Sequence, residues 1–169
     1  MQVKLFGLAN DSIVDGPGIR FAIFTQGCFH NCEGCHNPNS HDPEGGYYED
    51  CDEIIKKIEK NPLLDGVTFS GGEPFLQAKP LCYIACEVKK QGLSTLAYTG
   101  YTFEELLDGA NSENGWRELL EKLDLLVDGR FILSEKSLDL TFKGSKNQRI
   151  IDVKKSLKEG EAVLSEYDK

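Results

Sequence analysis

The sequence predicts an α/β protein on a mostly parallel sheet, folded as a partial, open (β/α) barrel. Three observations predict it. Short β-prone runs alternate with stretches of helical periodicity, the pattern of βαβ units. Glycine-rich stretches fall directly after those runs, and an α/β sheet gathers such loops at the carboxyl ends of its strands. The chain has 169 residues, one domain's worth of material but fewer than the roughly 200 that a closed eight-fold barrel needs.

The elements follow in order. Arg20–Thr25 is a short β-prone run. Asp50–Lys60 reads as a helix, with Asp50 and Glu53 spaced as a capping box and Ile54, Ile55 and Ile58 on one face. Gly66–Ser70 is a second strand, and Ala78–Gln91 a second helix closed by Gly92. Ser94–Thr99 is a third strand. Thr102 and Glu105 open another capped helix, and Asn114–Leu123 extends the helical layer. Leu125–Val127 is a fourth strand, with weaker candidates at Leu138–Phe142 and Gln148–Val153. The charged tail after Lys154 has poor periodicity, and residues 158–169 are expected to be mobile.

Composition narrows the function classes. The 40% apolar content can fill a core without staples. Nineteen Lys and Arg against 28 Asp and Glu give a net charge of −9, which argues against nucleic-acid binding as the main task. No run of 18 apolar residues is present, so no membrane span is expected. The N-terminus lacks a signal-peptide apolar core, and a cytoplasmic location is expected. Six cysteines in that setting point to metal binding or catalysis rather than a disulfide framework.

Three of those cysteines, Cys28, Cys32 and Cys35, fall in one C-x3-C-x2-C loop bounded by Gly27 and Pro38. Three thiolates at this spacing can wrap one face of an iron–sulfur cube. Clusters held wholly by protein take four, so three leave one iron with an open position. Zinc held by the three cysteines with His30 or His36 is the competing reading. Cys51, Cys82 and Cys86 are scattered and read as structural.

The second motif is Ser70-Gly71-Gly72-Glu73-Pro74, after the second strand. Its glycines let backbone approach a ligand closely, so that amide and carbonyl groups can bind an amino or carboxylate group. A tight strand-to-helix turn is the bland alternative. Asp15–Arg20 reads as a turn whose Arg20 can pair with an acid. Asp128-Gly129 ends the fourth strand as a ligand contact or a cap, and Tyr98–Tyr101 offers hydroxyls after the third. Six basic residues between Lys143 and Lys158 form either a solvated surface or a docking patch for an acidic partner.

The cysteine spacing with a downstream Gly-Gly-Glu resembles the signature of radical S-adenosylmethionine enzymes. The segments DGPGIR (15–20), the GC…HNP loop (27–38) and TFSGGEP (68–74) narrow the resemblance to activating enzymes of glycyl-radical proteins. The short length, with YTGYTFEELL (98–107), LLVDG (125–129) and KGSKNQRIIDVKKSL (143–157), is similar to the branch that activates anaerobic ribonucleotide reductase. The wider superfamily commonly has an aromatic residue before the third cysteine, where this chain has Gly34.

The resemblance implies a single radical S-adenosylmethionine domain over residues 1–169, with its core at about 11–157. It implies that Cys28, Cys32 and Cys35 ligate a [4Fe-4S] cluster. The amino and carboxylate groups of S-adenosyl-L-methionine would chelate the fourth iron. Gly71, Gly72 and Glu73 would meet the methionine amino group, and Phe29, His30, Asn31 and Thr99 would line the remaining pocket. Asp128 would be a further ligand contact. The implied activity is reductive cleavage of S-adenosylmethionine to methionine and 5′-deoxyadenosine, leaving a glycyl radical on the partner reductase. A flavodoxin-like donor would supply the electron, because one cluster motif is present. Two alternatives remain: an activase for pyruvate formate-lyase or a similar enzyme, and a non-catalytic zinc or iron–sulfur module.

Overall fold

A computed structural model describes residues 1–169, the whole chain. Seven strands, β1 (Gln2–Ser12), β2 (Arg20–Thr25), β3 (Tyr47–Asp50), β4 (Gly66–Gly71), β5 (Ser94–Tyr98), β6 (Leu125–Asp128) and β7 (Arg149–Asp152), join in one open sheet ordered β3-β1-β2-β4-β5-β6-β7. The four central strands expected from the sequence are β2, β4, β5 and β6, and they pair in parallel. Around them the sheet is mixed. β1 runs antiparallel to β2, β3 antiparallel to β1, and β7 antiparallel to β6.

Two of these strands escape the sequence reading. β1 has irregular register at Leu5/Gly7 and again at Ala9/Ser12, so its alternation breaks after Val3 and Leu5. β3 is the polar, largely exposed segment YYED, an edge strand with little apolar signal. Leu138–Phe142 forms no strand; it lies in an irregular segment clipped by a single bridge between Lys136 and Ser145.

The helices are α1 (Cys51–Glu59), α2 (Ala78–Lys90), α3 (Phe103–Gly109), α4 (Trp116–Glu121) and α5 (Val153–Glu159). α1 buries Ile54, Ile55 and Ile58, and α2 buries Leu81, Ile84, Ala85 and Val88. These side chains share one core cluster with Phe21 and Ile23 of β2, Val67 and Phe69 of β4, and Leu126 of β6. Full burial of each such side chain stabilises by roughly 1.5–3 kcal/mol. The expected capping box at Thr102 and Glu105 is present, with both reciprocal bonds formed. The one expected at Asp50 and Glu53 is not: Asp50 makes no side-chain cap and sits 3.7 Å from the N-terminal ammonium instead.

Strand alternation sends every second residue to the other face. There Leu96, Val127 and Ile150 form a small separate cluster. Arg20 lies on this face toward the amino ends of the parallel strands and is 2% exposed. Its guanidinium has five N–H donors, and all find neutral oxygens: Thr68 Oγ1, Pro17 O, Ser94 Oγ, Val67 O and Ser94 O. The carboxylate partner open to it from the sequence is not what it takes.

The tail folds back on the sheet edge. Asp152 caps α5 through Lys155 N–H, Gly160 closes the helix in a left-handed conformation, and Ser165 N–H donates to Ile150 O. Asp168 accepts from Ile150 N–H and pairs with Lys143. Of the basic residues in this region, Lys143, Arg149 and Lys154 are held by acids of the chain itself.

Two outcomes are expected. Arg20→Met leaves five acceptors without their donors and costs about 3 kcal/mol or more, read from a urea midpoint. At the start of β6, burial is the largest influence on the Asp124 carboxyl and pushes it up; Lys89 at 2.7 Å, Thr95 N–H at 2.9 Å and Lys154 at 3.2 Å together outweigh it and hold it below the usual carboxylate range. A lowered folded-state value contributes stability that is present above the unfolded value and lost as pH falls through the folded one. Asp124→Asn therefore lowers stability by about 1–2 kcal/mol at pH 7. The gap to the parent protein closes through the acid range in parallel denaturation curves.

Candidate functional site

The carboxyl ends of β2, β4, β5 and β6 open into one cavity of about 440 Å³, within the usual range of small-molecule sites. Loops following all four strands reach it: Cys28, Cys32 and Cys35 after β2, Gly71 and Gly72 at the end of β4, Thr99 and Gly100 after β5, and Gly129 after β6. The convergence expected from the glycine-rich motifs is what the sheet produces.

The cysteine loop is tied at its start. Gly27 N–H donates to Ser40 O at 2.6 Å, Cys28 N–H to His41 O at 3.0 Å, and Glu73 N–H to Gly27 O at 2.8 Å. The three thiols are free and half-buried. Burial pushes the Cys28 thiol up, with the charges of Glu73, Cys32 and Cys35 acting in the same direction. Cys28 therefore favours its thiolate only beside positive charge, which suits a metal-centred group. Lys143 is the one Lys or Arg on the cavity wall, and Asp168 pairs with it. No three His, Cys, Asp or Glu side chains converge closely enough to hold one metal ion. Three thiols on one wall with no fourth cysteine beside them are the donor set of a cluster with one open corner.

Gly71 and Gly72 are fixed by backbone packing. Gly71 has φ 96°, and a Cβ there would stand 2.3 Å from Thr25 N. A Cβ on Gly72 would stand 2.3 Å from Gly27 O. The absence of side chains lets the ends of β2 and β4 close together while both glycines still line the cavity.

Glu73 lies beneath this surface at 1% exposure. Its carboxylate accepts from His30 Nε2 at 2.6 Å, Gly100 N–H at 2.8 Å, Thr99 Oγ1 at 2.8 Å and Phe75 N–H at 3.0 Å. One side chain thus joins the loops after β2, β4 and β5. The His30 ring also packs edge-on against Tyr101, with centroids 4.6 Å apart.

Asp128 is likewise 1% exposed. It accepts from Phe103 N–H at 2.7 Å and from Arg149 Nε at 3.0 Å, so it anchors the first turn of α3. The hydrogen bond to Asp128 is the largest influence raising the Arg149 guanidinium further above its ordinary value.

Of the residues singled out in the sequence, Cys28, His30, Cys32, Cys35, Gly71, Gly72 and Thr99 line the cavity together. Glu73 and Asp128 sit behind its wall. Phe29 is 72% exposed and Asn31, with φ 53°, is also turned to solvent; neither lines it. The structure adds His41, whose ring Nε2 is 3.3 Å from Cys35 Sγ. It also adds Phe131, Phe142 and Gln148 from the irregular segment 129–148. That segment has no periodicity, and its cavity-facing side chains had no local signal. His36 meets the Phe131 ring edge-on at 5.3 Å.

Glu73→Ala leaves the four donors of its carboxylate unpaired and is expected to cost about 3 kcal/mol or more. Hydrogen exchange locates the loss: the Gly100 and Phe75 amides should exchange faster, and unchanged protection of Gly100 contradicts the role.

The model of the 4Fe-4S single cluster domain matches residues 14–151. The anaerobic ribonucleoside-triphosphate reductase-activating protein of Vibrio cholerae is 33% identical over 146 residues, covering 82% of this chain and 90% of that protein. The pyruvate formate-lyase-activating enzyme of Clostridium pasteurianum is 34% identical over 150 residues, covering 85% of this chain; the chain spans only 59% of that longer protein. Among solved structures, QueE from Escherichia coli superposes with a TM-score of 0.47 at 17% identity, covering 60% of this chain and 54% of that one. With a domain match across most of its length and a relative matched nearly end to end, this chain belongs to the 4Fe-4S single-cluster family, in the branch of the anaerobic ribonucleoside-triphosphate reductase-activating proteins.

Proposed function

We propose that this chain, as a single radical S-adenosylmethionine domain over residues 1–169, activates anaerobic ribonucleotide reductase by generating a glycyl radical on it. The observation that carries the reading is the meeting of three half-buried thiols with the strand-end glycines Gly71 and Gly72 on one cavity wall. Cys28, Cys32 and Cys35 would hold a [4Fe-4S] cluster with one iron left open, to be completed by the amino and carboxylate groups of S-adenosyl-L-methionine. When bound, the cluster supplies the electron that cleaves S-adenosylmethionine to methionine and 5′-deoxyadenosine, the added hydrogen atom coming from a glycine Cα of the partner.

The chain's own residues bind and shield. Gly71 and Gly72 give backbone access beside the thiols, and Thr99 and His30 form the adjoining wall. Glu73 fixes the positions of both from below. Asp128 acts one step further back by holding α3 against β6. Phe131, Leu140 and Phe142 give the cavity an apolar wall. Phe29 and Asn31 lie on the outer side of the cysteine loop, toward an approaching protein. Hydrogen-atom transfer needs no general acid or base, so the thiols are free to serve as ligands. A flavodoxin-like carrier would deliver the electron from outside.

Activation of pyruvate formate-lyase is the second reading. The two kinds of activator match this chain at 33% and 34% identity, and the chain spans 90% of the first and 59% of the second. No helix is long and apolar enough to cross a membrane, and the −9 charge does not suit nucleic acid.

Anaerobic mixing with the reductase, a reductant and S-adenosylmethionine should give a glycyl-radical EPR doublet on the reductase. Its absence with a competent reductase rejects the reading. Purified anaerobically, the protein should be brown with about four irons, and Cys32→Ala should bleach it; a colourless protein with one zinc would establish the non-catalytic module instead.

A further inference from the structure

All three histidines of the chain line the cavity, and each has a different partner. His30 is spent on Glu73. His36 packs on Phe131. His41 alone reaches a cysteine sulfur, with Nε2 at 3.3 Å from Cys35 Sγ.

The segment that delivers His41 is rigidly held. Pro38–Ser40 forms a single 3-10 turn, with the buried Ser40 hydroxyl donating to Asn37 O at 2.6 Å and His41 N–H donating to Pro38 O at 3.3 Å. Gln26 Nε2 donates to Asn39 O at 3.0 Å and Asp42 O at 2.8 Å, on either side of His41. The carbonyl of His41 accepts from Cys28 N–H at 3.0 Å. One residue therefore grips the first cysteine of the loop through its backbone and the third through its ring.

We propose that His41 is a positioning residue that donates a ring N–H to the Cys35 thiolate and thereby raises the reduction potential of the cluster. The inference rests on the cluster reading above and assigns it a tuning residue. An N–H aimed at a ligating sulfur stabilises negative charge on it, and the reduced cluster carries one electron more than the oxidised one. The donor therefore favours the reduced form, and hydrogen bonds to sulfur are among the determinants of such potentials. His41 accomplishes this without ligating iron, because its ring nitrogen is directed at sulfur that already serves as the ligand. The donor is also placed in advance of loading, since Ser40 and Gln26 fix its backbone independently of the thiols.

The test compares His41→Ala and His41→Gln with the parent protein. Each is loaded with iron and sulfide anaerobically, assayed for iron, and titrated with dithionite while the EPR signal of the reduced cluster is followed. Partner reductase and S-adenosylmethionine are left out. His41→Ala should retain the parent's iron content with a midpoint shifted to more negative potential. His41→Gln, which keeps an amide N–H donor, should return toward the parent value. An unchanged midpoint in fully loaded His41→Ala overturns the inference alone. Loss of iron from both variants also overturns it, by making His41 a ligand or a loop brace. Failure of the parent protein to take up a four-iron cluster overturns the cluster reading and this inference with it.

Discussion

The site depends on one buried carboxylate. Glu73 leaves the end of β4, yet its oxygens are taken by His30 from the β2 loop, by Thr99 and Gly100 from the β5 loop, and by Phe75 from its own turn. Three chain segments that share no sequence proximity are thereby fixed to one point. An ionised group at 1% exposure is costly unless fully hydrogen-bonded. Here the bonds are charge-assisted and run from 2.6 to 3.0 Å. The cost of burial is offset only in the arrangement that brings the three loops together, so the carboxylate specifies the geometry as well as stabilising it. Gly100 has no side chain for the same reason, since a Cβ there would stand 2.5 Å from the His30 ring.

The sheet explains why the cysteine-lined cavity lies where it does. Parallel strands usually carry helices on both faces. In this chain the large core cluster joins the helices to one face, while Leu96, Val127 and Ile150 make a small cluster on the other. The antiparallel strands β1 and β3 at one edge, and β7 at the other, end the sheet where a barrel would add further parallel units. This face holds the buried Arg20 at its amino end and the cysteine-lined cavity at its carboxyl end.

Much of this was legible from residue patterns, and the failures have local causes. The central strands were readable because Phe21, Ile23, Val67 and Phe69 lie in short β-prone apolar runs that the sheet buries. β1 was not, since its alternation ends at Leu5 and a register break follows at Gly7. Convergence of the four motifs followed from topology, so Cys28, Gly72 and Thr99 were correctly brought to one place. The depth of each residue was not readable. Asp128, an acid at a strand end, reads in sequence as a ligand contact or a cap, and the family resemblance makes Glu73 a ligand contact. Only the three-dimensional positions of His30 and Arg149 put them behind the wall. The family resemblance named the chemistry, while the burial of these two acids assigned them their mechanical part in it.

The segment between β6 and β7 shows how an irregular stretch can be functional without being loose. Twenty residues without regular strands or long helices would ordinarily argue against an element assignment in a compact protein. Gln148 fixes its base, accepting from Gly144 and Ser145 while donating to Gly129 O, and Asn147 Nδ2 donates to Arg130 O. Phe131 fits beside Gly34 and Gly144, where added Cβ atoms would stand 3.4 and 3.0 Å from its ring. The glycine before the third cysteine therefore leaves no void, because an aromatic ring from a distant part of the chain occupies its neighbourhood. Leu138, at the far end of the segment, is 93% exposed. A wall anchored at its base, apolar toward the cavity and apolar again at its outer tip combines two demands. It gives the proposed cofactor site an apolar wall while leaving the approach open to the proposed protein substrate.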